Sequence, residues 1–315
     1  MIIDNAGELV TSRQETRTGF IEFALEKNKR SKPFIENAKA FRHFAIQAKT
    51  PYELLYIPQI RESLITAAGL SDKSIQYFTE EDKTIAINEL IKNFLEPAGD
   101  EFIDEAIYRY LLIKGDTLGG SMRNIIGALA QQKLIRSLLS VMSGQGIDYR
   151  WLSGVNKTDW NDKPKDDYGI ENEIKAIFWN NKQAKENRTL AFNLKIPVVG
   201  KNIDICLFSC SDSEYSGGKI VSNINNHIMF GELKGGIDPA GADEHWKTAN
   251  TALERIRVSY SNAGHTVITS FVGASIEKSM AEEIYFQLTK KTLSFAANLT
   301  KADQIYEYCN WLLTI

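Results

Sequence analysis

No stretch of this chain approaches the run of roughly 18 apolar residues that a membrane-spanning helix needs, which removes proteins anchored by such a helix from the candidate classes. The residues after Met1 also lack a basic region followed by an apolar one. Asp4 and Glu8 stand there instead, and a cytoplasmic location is expected. Cysteine is scarce, with three in 315 residues. The odd count argues against a disulfide framework, and Cys206 and Cys210 have no Cys or His partners at zinc spacing, so reduced, buried thiols are expected. There is no internal repeat and no low-complexity tract. Positive charge is not in excess either, since the net charge is −3. A nucleic-acid partner therefore has to be argued from where the charge lies rather than from how much there is.

The distribution is uneven. Residues 13–51 hold nine basic side chains against four acidic ones, whereas residues 71–110 hold ten acidic against four basic. Such segregation lets an acidic protein keep one basic face for phosphates, although two ordinary solvated faces account for it equally well.

From residue 20 to 96 apolar residues recur at three and four spacing, as in Ile85, Leu90, Ile91, Phe94 and Leu95, and the segment reads as helical. Thr50-Pro51 and Pro97-Ala98-Gly99 punctuate it. The second break predicts a mainly helical domain over 1–98 and a second domain over 99–315. Helices are expected at 101–113, ending at Lys114-Gly115-Asp116, and at 121–142, opened by Gly119-Gly120-Ser121. The pattern then changes. Residues 190–199, 202–208, 227–234 and 266–273 read as strands. Between the last two, Trp246, Ala249, Leu253, Ile256 and Tyr260 form one apolar stripe of a helix over 242–260. Helices near 278–290 and 300–313 finish the chain. The series predicts an α/β fold, a mixed sheet flanked by helices.

Chemistry concentrates at Asp204, early in one apolar strand, and at Glu232-Leu233-Lys234, ending a later one. Strand alternation places Glu232 and Lys234 on one face and turns Leu233 into the core. Ionisable residues at the end of a buried strand need water, each other or a metal. Two carboxylates to hold Mg²⁺, with a further oxygen from the Leu233 carbonyl, and an ammonium near the scissile phosphate are what phosphodiester hydrolysis requires. Gly231 and Gly235-Gly236 flank the motif and are expected to leave room for a bulky ligand. The D…ExK pattern is that of the PD-(D/E)XK nuclease core, but it also arises by chance as a strand-edge salt bridge. Asp243 is a candidate N-cap for the following helix, which places His245 in its first turn, either beside the site or packed next to Trp246. Gly115-Asp-Thr-Leu-Gly-Gly-Ser-Met-Arg-Asn124 is Gly-rich but lacks the Gly-Lys-Ser/Thr ending of a phosphate-binding P-loop. Close packing of a helix N-terminus, with Arg123 paired internally, is expected there.

The run Phe230-Gly-Glu-Leu-Lys-Gly-Gly-Ile-Asp-Pro-Ala-Gly-Ala-Asp-Glu-His-Trp-Lys-Thr-Ala-Asn250 closely resembles the AvaI/BsoBI family of type II restriction endonucleases. So do Phe20–Arg30, Asn93–Gly99, Gly115–Gly120 with Met122–Asn124, Asn202–Phe208 and Ser279–Glu283. The resemblance implies a PD-(D/E)XK domain joined to a helical domain that embraces DNA. It further implies a homodimer encircling double-stranded DNA, and Mg²⁺-dependent cleavage of both strands within the palindrome CYCGRG. By position it makes Asp204, Glu232 and Lys234 the catalytic set, with Asp204, Glu232 and Leu233 on the metal and His245 assisting the attacking water. Lys73 and Asp238 match base-reading positions, where lysine donates to guanine and aspartate accepts from the cytosine amino group. Two other readings compete: a nuclease of the same core with a different target, and a non-catalytic DNA-binding protein whose triad is a structural ion pair.

Overall fold

The computed structural model describes residues 3–154, 159–181, 186–216 and 218–315. It divides into two compact units, Ile21–Asn124 and Met1–Phe20 with Ile125–Ile315.

The first unit is helical. It is built from parts of α1 (Arg13–Ala45) and α4 (Phe102–Gly144) together with α2 (Arg61–Ala67) and α3 (Glu80–Leu90). Helix α3 starts in a capping box: the Thr79 hydroxyl accepts from Asp82 N at 3.1 Å, and the Asp82 carboxylate accepts from Thr79 N at 2.9 Å. Phe41, Leu64, Leu90, Ala106 and Tyr110 close a core of their own, with Phe41 edge-on to Tyr110 at 5.9 Å between ring centroids. Because Phe102, Ala106 and Tyr110 belong to this core, the units do not divide at the expected 98/99 boundary. Pro97-Ala98-Gly99 makes a turn inside the unit, and the division falls at residues 20/21 and 124/125.

The expected break between two helices at 114–120 is absent, since α4 runs unbroken for 43 residues. A helical glycine keeps its backbone hydrogen bond and costs only about 1 kcal/mol relative to alanine, which a helix packed at both ends tolerates. No helix begins at Gly119-Gly120-Ser121, and Arg123 is exposed rather than internally paired.

The second unit is an eight-stranded mixed sheet. Its strands are β1 (Tyr149–Ser153), β2 (Trp160–Asp162), β3 (Ile174–Asn181), β4 (Glu186–Ile196), β5 (Lys201–Phe208), β6 (His227–Lys234), β7 (Ile268–Gly273) and β8 (Phe295–Asn298), in the order β2-β1-β3-β4-β5-β6-β7-β8. Pairing is antiparallel as far as β6 and parallel from β6 through β8. After the short α5 (Asp212–Ser216), helix α6 (Ala242–Asn262) connects β6 to β7, and α7 (Lys278–Thr289) connects β7 to β8. Parallel neighbours require such crossovers. The chain ends in α8 (Ala302–Thr314).

Helices cover both faces. Phe208 and Phe230 meet the α6 stripe of Trp246, Leu253, Ile256 and Tyr260 on one side, while Ile205, Leu207 and Met229 meet Leu134 and Leu138 of α4 and Leu312 of α8 on the other. This is the expected mixed α/β sheet, extended by β1, β2, β3 and β8. All three cysteines are free and buried. No helix among the described residues is long and apolar enough to cross a membrane.

Candidate active site

With both faces of β5 and β6 covered, each polar side chain on them needs a partner. Alternation along β6 sends Phe230, Glu232 and Lys234 toward the face packed by α6, and Leu233 toward the opposite face. On β5, Asp204 shares the α6 face with Cys206 and Phe208. The antiparallel register pairs Ile205 with Gly231 and goes no further toward Lys234. Asp204 continues the ladder with its side chain, its Oδ2 accepting from Leu233 N at 2.9 Å. On the other edge of β6, the Lys234 carbonyl accepts from Ala274 N at 2.8 Å. Backbone groups alternate between the two edges of a strand, so the Leu233 carbonyl faces the Asp204 edge, as its N–H does.

Lys234 Nζ donates to Glu232 Oε2 at 2.7 Å and lies 3.6 Å from Asp204 Oδ2. The two carboxylates are not equivalent. The Glu232 side chain is 6% exposed against 29% for Asp204, so Glu232 bears the electrostatic strain of the cluster. Burial, and then the neighbouring Asp204 charge, push its pKa up to about 7 against the opposing pull of Lys234 and, more weakly, of Arg255 on α6. Burial alone would pull the Lys234 ammonium down, but the charges of Glu232 and Asp204 outweigh it and raise its pKa.

The cluster thus gathers two carboxylates around one ammonium, a surplus of one negative charge that the raised pKa of Glu232 reduces. Among the described residues no third Asp, Glu, His or Cys completes a metal-binding group. Asp204, Glu232 and the Leu233 carbonyl are the protein oxygens available.

Glycines hold the segment after Lys234 in place. The space a side chain on Gly235 would need is filled by protein. A Cβ on Gly235 would lie 2.5 Å from the Ala130 Cβ and 2.8 Å from the Ile126 carbonyl of α4. One on Gly236 would lie 2.9 Å from His245 Nε2, and one on Gly231 2.5 Å from Ser270 Oγ. Gly235 is required for close packing against backbone, whereas the neighbours of Gly236 and Gly231 are side-chain ends. His245 is exposed in the first turn of α6, as expected, with its ring over Gly236. Asp243 is not the N-cap. The cap position is Gly241, two residues earlier, with the helix starting at Ala242 as expected, and Asp243 pairs with Lys247 at 2.5 Å. Asp238 caps the short turn Pro239–Gly241 by accepting from Ala240 N at 3.0 Å, and it stays exposed.

Asp204, Glu232 and Lys234 are therefore brought into one cluster, with His245 and Asp238 in the loop and helix start that follow it. Lys73 is an exposed turn residue of the helical unit. Sequence reasoning missed Arg255. The available signal was its place on the polar flank of α6, two residues from the stripe residue Leu253.

A family model described as restriction endonuclease BsobI matches residues 2–315. The chain is 53% identical to the type II restriction enzyme BsoBI of Geobacillus stearothermophilus, an alignment covering 99% of this chain and 97% of that protein. It is 48% identical to the type II restriction enzymes AvaI of Nostoc sp. and of Anabaena variabilis, covering 99% of this chain and 98% of each. Full-length similarity at this level, joined to a restriction-endonuclease-like mixed sheet with two carboxylates and a lysine at one strand end, establishes that the chain belongs to the BsoBI family of type II restriction endonucleases, which are site-specific deoxyribonucleases.

Proposed function

We propose that this protein cleaves both strands of duplex DNA at the palindrome CYCGRG in the cytoplasm, as a Mg²⁺-dependent homodimer. The observation that carries the reading is the convergence of two carboxylates, Asp204 and Glu232, on one ammonium, Lys234, at the end of a buried strand. Asp204, Glu232 and the Leu233 carbonyl would hold Mg²⁺, which supplies Lewis-acid stabilisation of the phosphate and a more acidic bound water. Lys234 Nζ orients the attacking water and stabilises charge growing on the scissile phosphate. The water oxygen bonds to phosphorus while the bridging P–O bond breaks, its electron pair leaving on the sugar oxygen, which takes a proton from solvent. The proton the water gives up passes to His245, whose ring is exposed beside the loop.

Specificity needs other residues, because this chemistry is the same at every phosphate. Asp238 accepts from a cytosine amino group and Lys73 donates to guanine. A palindrome read alike on both strands calls for a two-fold dimer, one site per strand. Within the helical unit, Ile21 and Leu25 on α1, and Tyr108 and Leu112 on α4, are exposed apolar pairs one turn apart, surface suited to a second copy.

Digestion of mixed-sequence plasmid DNA with Mg²⁺, followed by end sequencing, tests the reading. Discrete fragments all ending within CYCGRG are expected. Discrete ends elsewhere or a smear indicate a related nuclease with another target, and intact DNA indicates a binding protein. Asp238→Ala is expected to reduce discrimination between cognate and single-mismatch duplexes by about 1–3 kcal/mol while non-specific affinity stays level. A uniform loss of affinity across sequences would remove Asp238 from base reading.

A further inference from the structure

The carbonyl of Lys234 is held by Ala274 N at 2.8 Å, in the segment that follows β7. Ala274 is in turn held from a distant part of the sequence. The Thr11 hydroxyl donates to the Ala274 carbonyl at 3.0 Å and accepts from Ile276 N at 2.9 Å and from Asn298 Nδ2 at 2.7 Å. One donor and two acceptor sites are all that a hydroxyl has, and Thr11 uses all three. The same residue pairs its backbone N–H with the Ile276 carbonyl at 2.9 Å, and Asn298 Nδ2 also donates to the Leu9 carbonyl at 2.8 Å. Thr11, Ala274 and Asn298 are all buried, so water does not stand in for a missing partner.

We propose that Thr11 is a positioning residue for catalysis: its hydroxyl fixes Ala274, and Ala274 fixes the backbone from which Lys234 reaches Glu232 and Asp204. The claim rests on the reading of Lys234 as catalytic. Nothing in the chemistry of the triad requires a threonine so far back in the sequence. The hydrogen bonds supply the reason, because an ammonium on a flexible stem is placed only as well as the backbone that carries it.

The test uses the full chain with Mg²⁺ and a duplex carrying the site mapped by digestion. Single-turnover cleavage and equilibrium DNA binding without Mg²⁺ are compared for the unaltered protein, Thr11→Val, Thr11→Ser, His227→Phe and Lys234→Ala. Misplacement by about 1 Å lowers rates up to roughly a hundredfold. Thr11→Val, which keeps shape but loses the hydroxyl, is therefore expected to cleave about ten- to a hundredfold more slowly with DNA affinity unchanged within about twofold. Thr11→Ser is expected to restore the rate. His227→Phe removes a buried hydrogen-bonding side chain at the opposite end of β6 and is expected to lower the melting temperature without slowing cleavage. If Thr11→Val does not fold, Thr11→Cys replaces it, with an intermediate rate expected. Thr11→Val, or Thr11→Cys in its place, at the unaltered rate overturns the proposal, as does equal slowing in His227→Phe. Full activity in Lys234→Ala instead overturns the underlying reading of the triad, a separate failure.

Discussion

The two ends of β6 both bury ionisable side chains, and they settle them differently. At the start of the strand, His227 Nε2 donates to the Ile220 carbonyl at 2.8 Å, which leaves Nδ1 to accept from the Tyr260 hydroxyl. The neutral ring uses both nitrogens and sits among Phe208, Phe230 and Tyr260, and burial lowers its pKa. At the other end, five and seven residues on, Glu232 and Lys234 join Asp204 in a cluster whose charge does not balance and whose buried carboxylate is held at a raised pKa. One end is a closed hydrogen-bond system, and the other gathers two carboxylates around one ammonium, the group proposed above to take a cation. The difference teaches how to tell an architectural buried polar group from a functional one on a single strand: by asking whether the protein itself completes it.

The largest effect that tests this contrast is Lys234→Ala. Loss of a transition-state donor is expected to lower the single-turnover rate about 10²- to 10³-fold while specific binding, followed by gel shift, is retained. Cleavage within a few-fold of the unaltered protein would make the cluster another closed ion pair and erase the contrast. His227→Phe is expected to cost about 1–3 kcal/mol in chemical denaturation, because it takes the acceptor from the buried Tyr260 hydroxyl and leaves the Ile220 carbonyl with Asn223 N alone, with cleavage intact.

Glu232→Gln sharpens the comparison through pH. The folded pKa of Glu232 lies above the usual carboxylate value, so the fold favours the protonated form. Relative to the unfolded chain, that stability is fully present below pH 4.5 and is lost as pH rises through about 7. Without metal, the variant is therefore expected to be more stable than the parent at pH 8 by roughly 1–2 kcal/mol and no more stable at pH 4, while it fails to cleave. Equal stability at pH 8 would show that Lys234 already neutralises the carboxylate. The smallest effect is the converse one at His227. Its pKa is lowered in the fold, so its contribution is present above the ordinary histidine value near 6.5 and is lost as pH falls. Melting curves from pH 7 to pH 5 are expected to show a shallower decline for His227→Phe than for the parent.

Much of the site was legible because strand alternation is local. Placing Glu232 and Lys234 on one face needs only the period of two, and the α6 stripe from Trp246 to Tyr260 needs only the helical repeat. The misses also have physical causes. Strand β8 spans four residues, too few for a period to show, and β1 and β3 mix Arg150, Lys175 and Asn180 into their apolar runs. The glycines of α4 looked like a break because propensity is local, whereas the helix is held by cores at its two ends.

The sequence by itself determined the residue types of the chemistry, the faces they occupy on their own strands, and the family likeness. Tertiary structure decided the rest. The β5–β6 register sets Asp204 beside Leu233 and Lys234, and close packing against Ala130 and the Ile126 carbonyl accounts for Gly235. A buried hydroxyl at Thr11 fastens the segment behind Lys234. The physical reason is range: periodicity and propensity act within a few residues, while register, close packing and buried hydrogen bonds join residues tens to hundreds of positions apart and exist only once the chain has closed on itself.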